Sequence, residues 1–262
     1  MPKWGTSRSG YFFNKEENMI SKGLASVKYI GSKVADELYE LSKEHKYDRF
    51  VDVLNALTET SIDSRQLDIL IKIDFFSEFG NQRELFRITE LFYEVFKQGE
   101  AKKVQREKVD GTPLEPIVKK YAVGVTKAGA EAKSYTLLDI DSILKEAEDA
   151  IKAAGMEDLS VVLKARNFTE IMGYMGFVSG RQEDRPKLYV TNIYPLKRKK
   201  DGKQFGYSVV TRSIGSGKES RFTVFNRTVE SCGSISKDDL IVCLHYERDG
   251  EYFRMTSYQK LM

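Results

Sequence analysis

The sequence predicts a multi-domain α+β chain, an all-α module first and a small five-stranded β-barrel last. Three observations carry that prediction. Before about residue 185, apolar residues recur at helical spacing, as in the i, i+3, i+7, i+10 stripe of Leu85, Ile88, Phe92 and Val95. After it they alternate or cluster with β-branched and aromatic residues. The last 75 or so residues hold five such runs, separated by the turn signals Lys200-Asp201-Gly202-Lys203, Gly215-Ser216-Gly217 and Arg248-Asp249-Gly250. With 262 residues, 41% hydrophobic and 31% charged, the chain can bury a core beneath a solvated surface.

The elements follow in order. Residues 1–98 read as the helical module. Tyr11-Phe12-Phe13 followed by the turn-like Asn14 to Asn18 suggests a small hairpin. Val34, Leu38 and Leu41 share one helical face, and Phe50, Val51, Val53, Leu54 and Leu57 make a second short helix. Asp63 with Gln66 three residues on is a capping box opening a helix that carries Leu67, Leu70 and Ile71. Another helix starts after Gly80. Residues 99–136 are poor in apolar residues and hold two of the five prolines, which predicts an extended or mobile connection. Residues 137–185 form a helical linker, with Ile143, Leu144, Ala147 and Ile151 on one face and FTEIMGYMGFVSG after it. Residues 186–262 supply strands over roughly 187–195, 204–212, 220–226, 239–247 and 251–257. Five short strands fit an oligonucleotide-binding (OB)-like barrel; a β-sandwich fragment is the alternative.

Composition excludes several classes. No window approaches 18 consecutive apolar residues, so no membrane span is expected. MPKWGTSRSG has no apolar run behind it and is not a signal peptide, and the sparse cysteines make a reducing cytosol the expected compartment. Cys232 and Cys243 alone make neither a disulfide framework nor a zinc site. SIGSGKES fails as a P-loop, because Arg212 and Glu219 stand where glycine and Ser or Thr are needed. Asp139-Ile140-Asp141 resembles a metal-binding pair but opens an amphipathic helix, where acids cap free N–H groups. His45 and His245 have no ligand spacing. No catalytic constellation and no cofactor or metal site is expected.

Two stretches point to nucleic acid. GLASVKYIGSKVADEL, residues 23–38, places a compact turn ending in glycine before a helix, with a lysine on each side. In a helix–hairpin–helix such a turn lets backbone N–H groups meet a phosphate at a helix N-terminus. Lys28, Gly31, Ser32 and Lys33 would make that contact, and Tyr29, standing where the usual motif has glycine, could stack on a sugar or base. A plain packing corner is the other reading. Between Lys187 and Arg221, nine basic residues meet only Asp201 and Glu219, a local charge of +7 in a chain of net +3. Lys197, Arg198, Lys199, Lys200 and Lys203 fall at the first barrel loop, and Arg212, Lys218 and Arg221 further on. Phe205 and Tyr207, on one face of the second strand, would stack on single-stranded bases; a solvated hairpin tip and core aromatics are the alternative. Gln82, Leu85 and Phe86 match the Q-x-x-L-F form of peptides that dock on a sliding clamp, unless they are core positions of the helix after Gly80.

Four stretches together resemble the C-terminal region of the bacterial DNA polymerase III alpha subunit. GLASVKYIGSKVADEL looks like that family's helix–hairpin–helix, and SRQLDILIKIDFFSEFGNQRELF like the helix after it. EIMGYMGFVSG is similar to the segment preceding its barrel, and the barrel to its OB domain. The resemblance implies a hairpin that binds the duplex of a primer–template, and a barrel that meets the single-stranded template. The family's palm, with its metal-binding aspartates, has no counterpart here, which implies a DNA-binding part or relative that does not polymerise. Clamp and other replisome proteins would be its partners. A protein-interaction factor on the same scaffold, encoded by a phage or mobile element, is the alternative, as is a piece of a longer polymerase.

Overall fold

A computed structural model of the chain describes residues 2–14, 19–126, 129–180, 185–250 and 252–261. The chain divides into two compact units, Met1–Leu159 and Ser160–Met262.

The first unit opens with a hairpin of β1 (Phe12–Asn14) and β2 (Met19–Ser21), paired antiparallel with Phe13 opposite Ile20. Residues 15–18, part of the turn that predicted it, lie outside the described residues. Four helices follow: α1 (Ser32–Glu44), α2 (Phe50–Leu57), α3 (Ser64–Lys72) and α4 (Gln82–Glu90). The expected capping box opens α3. The Asp63 side chain accepts the Gln66 N–H at 2.7 Å, and Gln66 accepts the Asp63 N–H at 3.0 Å. A second box, Asn81 with Glu84, opens α4. The predicted stripe after Gly80 holds through Phe92 and then shifts. A π-helical turn at Leu91–Val95, in which the Phe96 N–H reaches the Leu91 carbonyl at 2.9 Å, widens the helix by one residue. Phe96 is therefore fully buried, and Val95 is only half-buried.

The core of this unit is aromatic. Trp4 meets Phe75, Phe76 and Phe79, and Phe50 packs on Phe76 with ring centres 5.3 Å apart. Truncating a buried phenylalanine such as Phe50 to alanine costs about 3–5 kcal/mol.

Residues 99–136 carry more structure than a connection. They hold β3 (Lys103–Gln105), α5 (Glu115–Lys120), β4 (Ala122–Val125) and β5 (Glu131–Leu137), with the strands in the order β3-β5-β4. The expectation of an extended or mobile segment missed this sheet because its centre is polar. Arg106 donates to the carbonyls of Ala132 and Gly124 and to the Tyr135 hydroxyl, and its guanidinium lies 4.6 Å from the Tyr135 ring centre. Tyr135 in turn donates to Asp110, which holds that carboxyl below its usual range, with Arg106 adding to the effect. Hydrogen bonds here do what an apolar stripe would otherwise signal.

Helix α6 (Ile140–Ala153) ends the unit. Asp139 caps it by accepting the Ser142 N–H, the role foreseen for that acid. Glu148, 1% exposed, accepts the N–H groups of Phe50 and Val51, both at 2.9 Å, and pairs with Lys152. A carboxylate on α6 thereby caps the N-terminus of α2, where the helix dipole favours it.

The second unit begins with α7 (Val161–Met172) and then forms a closed barrel. Its strands are β6 (Lys187–Lys197), β7 (Gln204–Ser213), β8 (Glu219–Phe225), β9 (Leu240–Asp249) and β10 (Tyr252–Lys260), with α8 (Asn226–Cys232) between β8 and β9. Pairing runs β10-β8-β7-β6-β9 and closes through β9 and β10; β10 with β8 is parallel and the rest antiparallel. The sandwich alternative is thereby removed. Leu188, Val190, Val209, Phe222, Val224, Ile241, Cys243, Met255 and Tyr258 fill the interior. Burial pushes the Cys243 thiol up to about 11 and the Tyr258 hydroxyl up to about 12.

Candidate nucleic-acid interface

The first surface is the turn before α1. A single 3-10 turn at Leu24–Ser26 leads to Val27, Lys28, Tyr29, Ile30 and Gly31. Val27 and Ile30 are buried and anchor the turn, while Lys28, Tyr29, Gly31, Ser32 and Lys33 are exposed. Tyr29 has φ +69°, the left-handed conformation in which glycine is usual. Tyr29 thereby takes the backbone conformation that a glycine would hold at this place. Gly31 has an ordinary φ of −77° and acts as the N-cap of α1 without a side chain over the first N–H groups. A Cβ built there would meet nothing within 4 Å, and Gly31, Ser32 and Lys33 are all exposed, so the first turn of α1 is open to solvent. Open N–H groups and the positive end of a 13-residue helix together suit an anion.

Two features hold Tyr29 in place, and the sequence signalled neither. Gln66, already committed to the α3 capping box, donates through Nε2 to the Tyr29 carbonyl at 2.9 Å. The Arg65 guanidinium stacks 3.8 Å from the Tyr29 ring centre, with the Lys28 ammonium 5.2 Å away. Arg65 thus joins the hairpin from 36 residues further along the chain. Lys33 is less available than its exposure suggests. It faces Glu37 at 3.7 Å, and Glu37 is held below the usual carboxylate range, first by the Ser61 N–H.

The second surface is one end of the barrel. The basic run Lys187 to Arg221 does not form one patch. Lys197 to Lys203 sit at the β6–β7 turn, which is closed by Arg198 N–H to Lys203 C=O at 2.9 Å. Lys187, Arg212 and Lys218 lie at the other end of those strands, where Leu188 pairs with Ser213 and Arg212 with Glu219. The 10-residue β7 spans about 33 Å, so the two groups cannot share one short ligand. Arg221 is exposed on β8 between them. Tyr207 packs against the barrel core and is not the surface stacker that its place beside Phe205 suggested. Alternation puts Phe205, Tyr207 and Val209 on one face; Tyr207 is covered by the core, while Phe205, next to the β6–β7 turn, lines a cleft instead.

Around the β6–β7 turn a different set converges. Phe205 lies 6.1 Å from Phe225, and the guanidinium groups of Arg227 and Arg254 lie 5.9 and 5.7 Å from the Phe225 ring centre. Arg198, Phe205, Phe225, Asn226 and Arg227 line an open cleft of about 520 Å³. Arg254 pairs with Glu247, yet its buried Nε has no hydrogen-bond partner among the described residues. Beside it, Phe222, Tyr246 and Phe253 form a trio in which Tyr246 meets both phenylalanines edge-on, with Tyr246 51% and Phe253 37% exposed. Sequence reasoning found Arg198 and Phe205. It missed Phe225, Arg227 and Arg254, which come from the end of β8, α8 and β10, and Arg254 joins the other two through the parallel β8–β10 pairing.

The clamp motif is spent on the fold. Gln82 and Leu85 are each 1% exposed and Phe86 is half-buried. Gln82 donates to the Lys72 carbonyl and to Asp74, so the segment is a buried helix start and cannot serve as an extended peptide. Among the described residues, no group of three or more His, Cys, Asp or Glu is placed to hold a metal, and no helix is long and apolar enough to cross a membrane.

A comparison with curated proteins finds no match. Against protein-family models, residues 6–85, which contain the turn before α1 and Arg65, match the helix-hairpin-helix motif.

Proposed function

We propose that this chain binds nucleic acid at two surfaces and carries no catalytic step of its own. The hairpin at Lys28–Lys33 grips duplex phosphates without reading sequence. The barrel end takes single-stranded nucleic acid. The observation that carries the reading is the open N-terminus of α1 beside Lys28 and Arg65, within a segment that matches the helix-hairpin-helix motif. The barrel supports it. Counted from β6, its strands pair 1-2-3-5-4-1 with a helix between the third and fourth, an arrangement compatible with an OB fold. In that fold, strands two and three and the loops after strands one and four contact oligonucleotides. Arg198, Phe205, Phe225 and Arg254 lie on or beside those elements. With the resemblance to the C-terminal region of the polymerase III alpha subunit, the ligand becomes a primer–template junction: duplex at the hairpin, template strand at the barrel.

The test is fluorescence anisotropy of the full chain with single-stranded, duplex and primer–template DNA over a salt series. Salt-sensitive binding that is strongest for the primer–template is expected, since released counterions drive phosphate binding. No binding to any of the three at low salt would overturn the reading.

A further inference from the structure

The N-terminal hairpin has no assigned part in either surface. Its neck is tight: the Leu24 and Ala25 N–H groups bond the Arg8 and Ser9 carbonyls at 2.8 and 3.0 Å. A Cβ on Gly23 would lie 2.1 Å from the Ser9 carbonyl oxygen. Only glycine lets the chain leave and return that closely. One face of the hairpin is turned to the body through Phe12. The Arg8 guanidinium lies 5.8 Å from the Phe12 ring centre and 5.9 Å from that of Tyr39 on α1. The other face carries Tyr11, Phe13 and Ile20, which are 68%, 55% and 75% exposed. Tyr11, just before β1, is two residues from Phe13, and Ile20 is paired across from Phe13, so the three exposed side chains make one apolar stripe. Two strands of three residues have little stability alone, and a stripe of large apolar groups held out on them implies an occupant.

Charge identifies the occupant. Residues 1–33 contain six basic and two acidic side chains. Outside this stretch and Lys187–Arg221, the chain is net −8. The hairpin also runs directly into the phosphate-binding turn, with Lys28 seven residues after Ser21. A polyanion held at Lys28–Lys33 is therefore within reach of the stripe. We infer that the β1–β2 hairpin is a wedge that inserts Tyr11, Phe13 and Ile20 against unstacked bases of the nucleic acid gripped by the adjoining turn. Apolar side chains driven between base steps unstack them and kink the duplex. The inference rests on the nucleic-acid reading above and deepens it: the preferred ligand is a duplex that already contains a weak step, such as a junction.

The experiment uses the full chain and a primer–template duplex with 2-aminopurine placed in turn at the junction and at internal steps. Binding is followed separately by anisotropy. At one position the wild-type chain is expected to raise 2-aminopurine emission by about twofold or more, as unstacking predicts. The variant Tyr11→Ser/Phe13→Ser/Ile20→Ser should lose that rise while still binding, about tenfold more weakly at most. Should the triple variant misfold, Phe13→Trp gives an independent readout, because an indole stacked on bases is quenched on binding. Binding without a 2-aminopurine rise at any position, an unchanged rise in the triple variant, or an unquenched Trp in the Phe13→Trp chain overturns the wedge and leaves the nucleic-acid reading intact. No anisotropy change for any DNA overturns both.

Discussion

On the function proposed above, the two surfaces use opposite means of recognition. At the turn before α1 the proposed contact is made by backbone N–H groups, and side chains only add charge around them. At the barrel end the backbone is consumed by strand pairing, and the proposed contact falls to the side chains of Phe205, Phe225, Arg227 and Arg254. The difference teaches that an anion site can be written in one short stretch, because a helix N-terminus is a local object. A stacking site needs rings and cations from several strands, so it exists only once the barrel closes.

Four substitutions or treatments test that contrast, from the largest effect to the smallest. Phe205→Ala with Phe225→Ala should weaken binding of single-stranded DNA by about 10- to 100-fold and leave duplex affinity within about twofold, since each stacked base is worth roughly 1–3 kcal/mol. An equal loss on both ligands would mean that the surfaces do not divide the work. Lys28→Ala with Arg65→Ala should lower duplex affinity about tenfold near physiological salt and flatten the log–log salt slope by about two, one for each phosphate that is no longer neutralised. A single-strand titration of the same variant should be unaffected. Tyr29→Gly should keep duplex binding within about threefold, because the N–H groups of α1 remain, while relieving left-handed strain of about 1–2 kcal/mol. A loss as large as that of the double variant would make the ring, not the backbone, the contact.

The smallest effect concerns the barrel interior. Buried Cys243 should stay unlabelled by iodoacetamide at pH 8, and half-buried Cys232 should react. The sign of the accompanying pH dependence is fixed. Cys243 and Tyr258 both hold their protons more tightly when folded, so their contribution is complete below the unfolded pKa values of about 9 and 10 and fades as pH climbs through about 11 and 12. Equal labelling of the two thiols in the native protein would show that the barrel opens on that timescale.

The helices and strands were legible wherever apolar periodicity or turn chemistry was strong. The Asp63–Gln66 box, the stripe through Phe92 and the five barrel strands are examples. Illegible parts share a physical cause: polar atoms or distant residues replace a local pattern. The β3-β5-β4 sheet is organised by Arg106 rather than by alternation. The Val95-to-Phe96 shift follows from a π-helical turn that 3.6-residue counting cannot anticipate. In the hairpin, Lys28 to Lys33 could be read directly, but Arg65 could not. At the barrel, the dense basic run was visible, yet charge counted along a strand says nothing about which end of it each residue occupies. Gln82, Leu85 and Phe86 fit a peptide pattern equally well as a helix start, and only their burial separates the two.

The carboxylate of Glu148 beneath α2 has a consequence for dissecting this chain. The family match ends at residue 85, and a fragment cut at residue 98 would contain every residue of the hairpin surface. It would also leave the Phe50 and Val51 N–H groups without their acceptor, since the group that receives them lies 98 residues beyond Phe50. A fragment that keeps this cap therefore has to run through α6, and the polar sheet between α4 and α6 is the tether that delivers the closing acid.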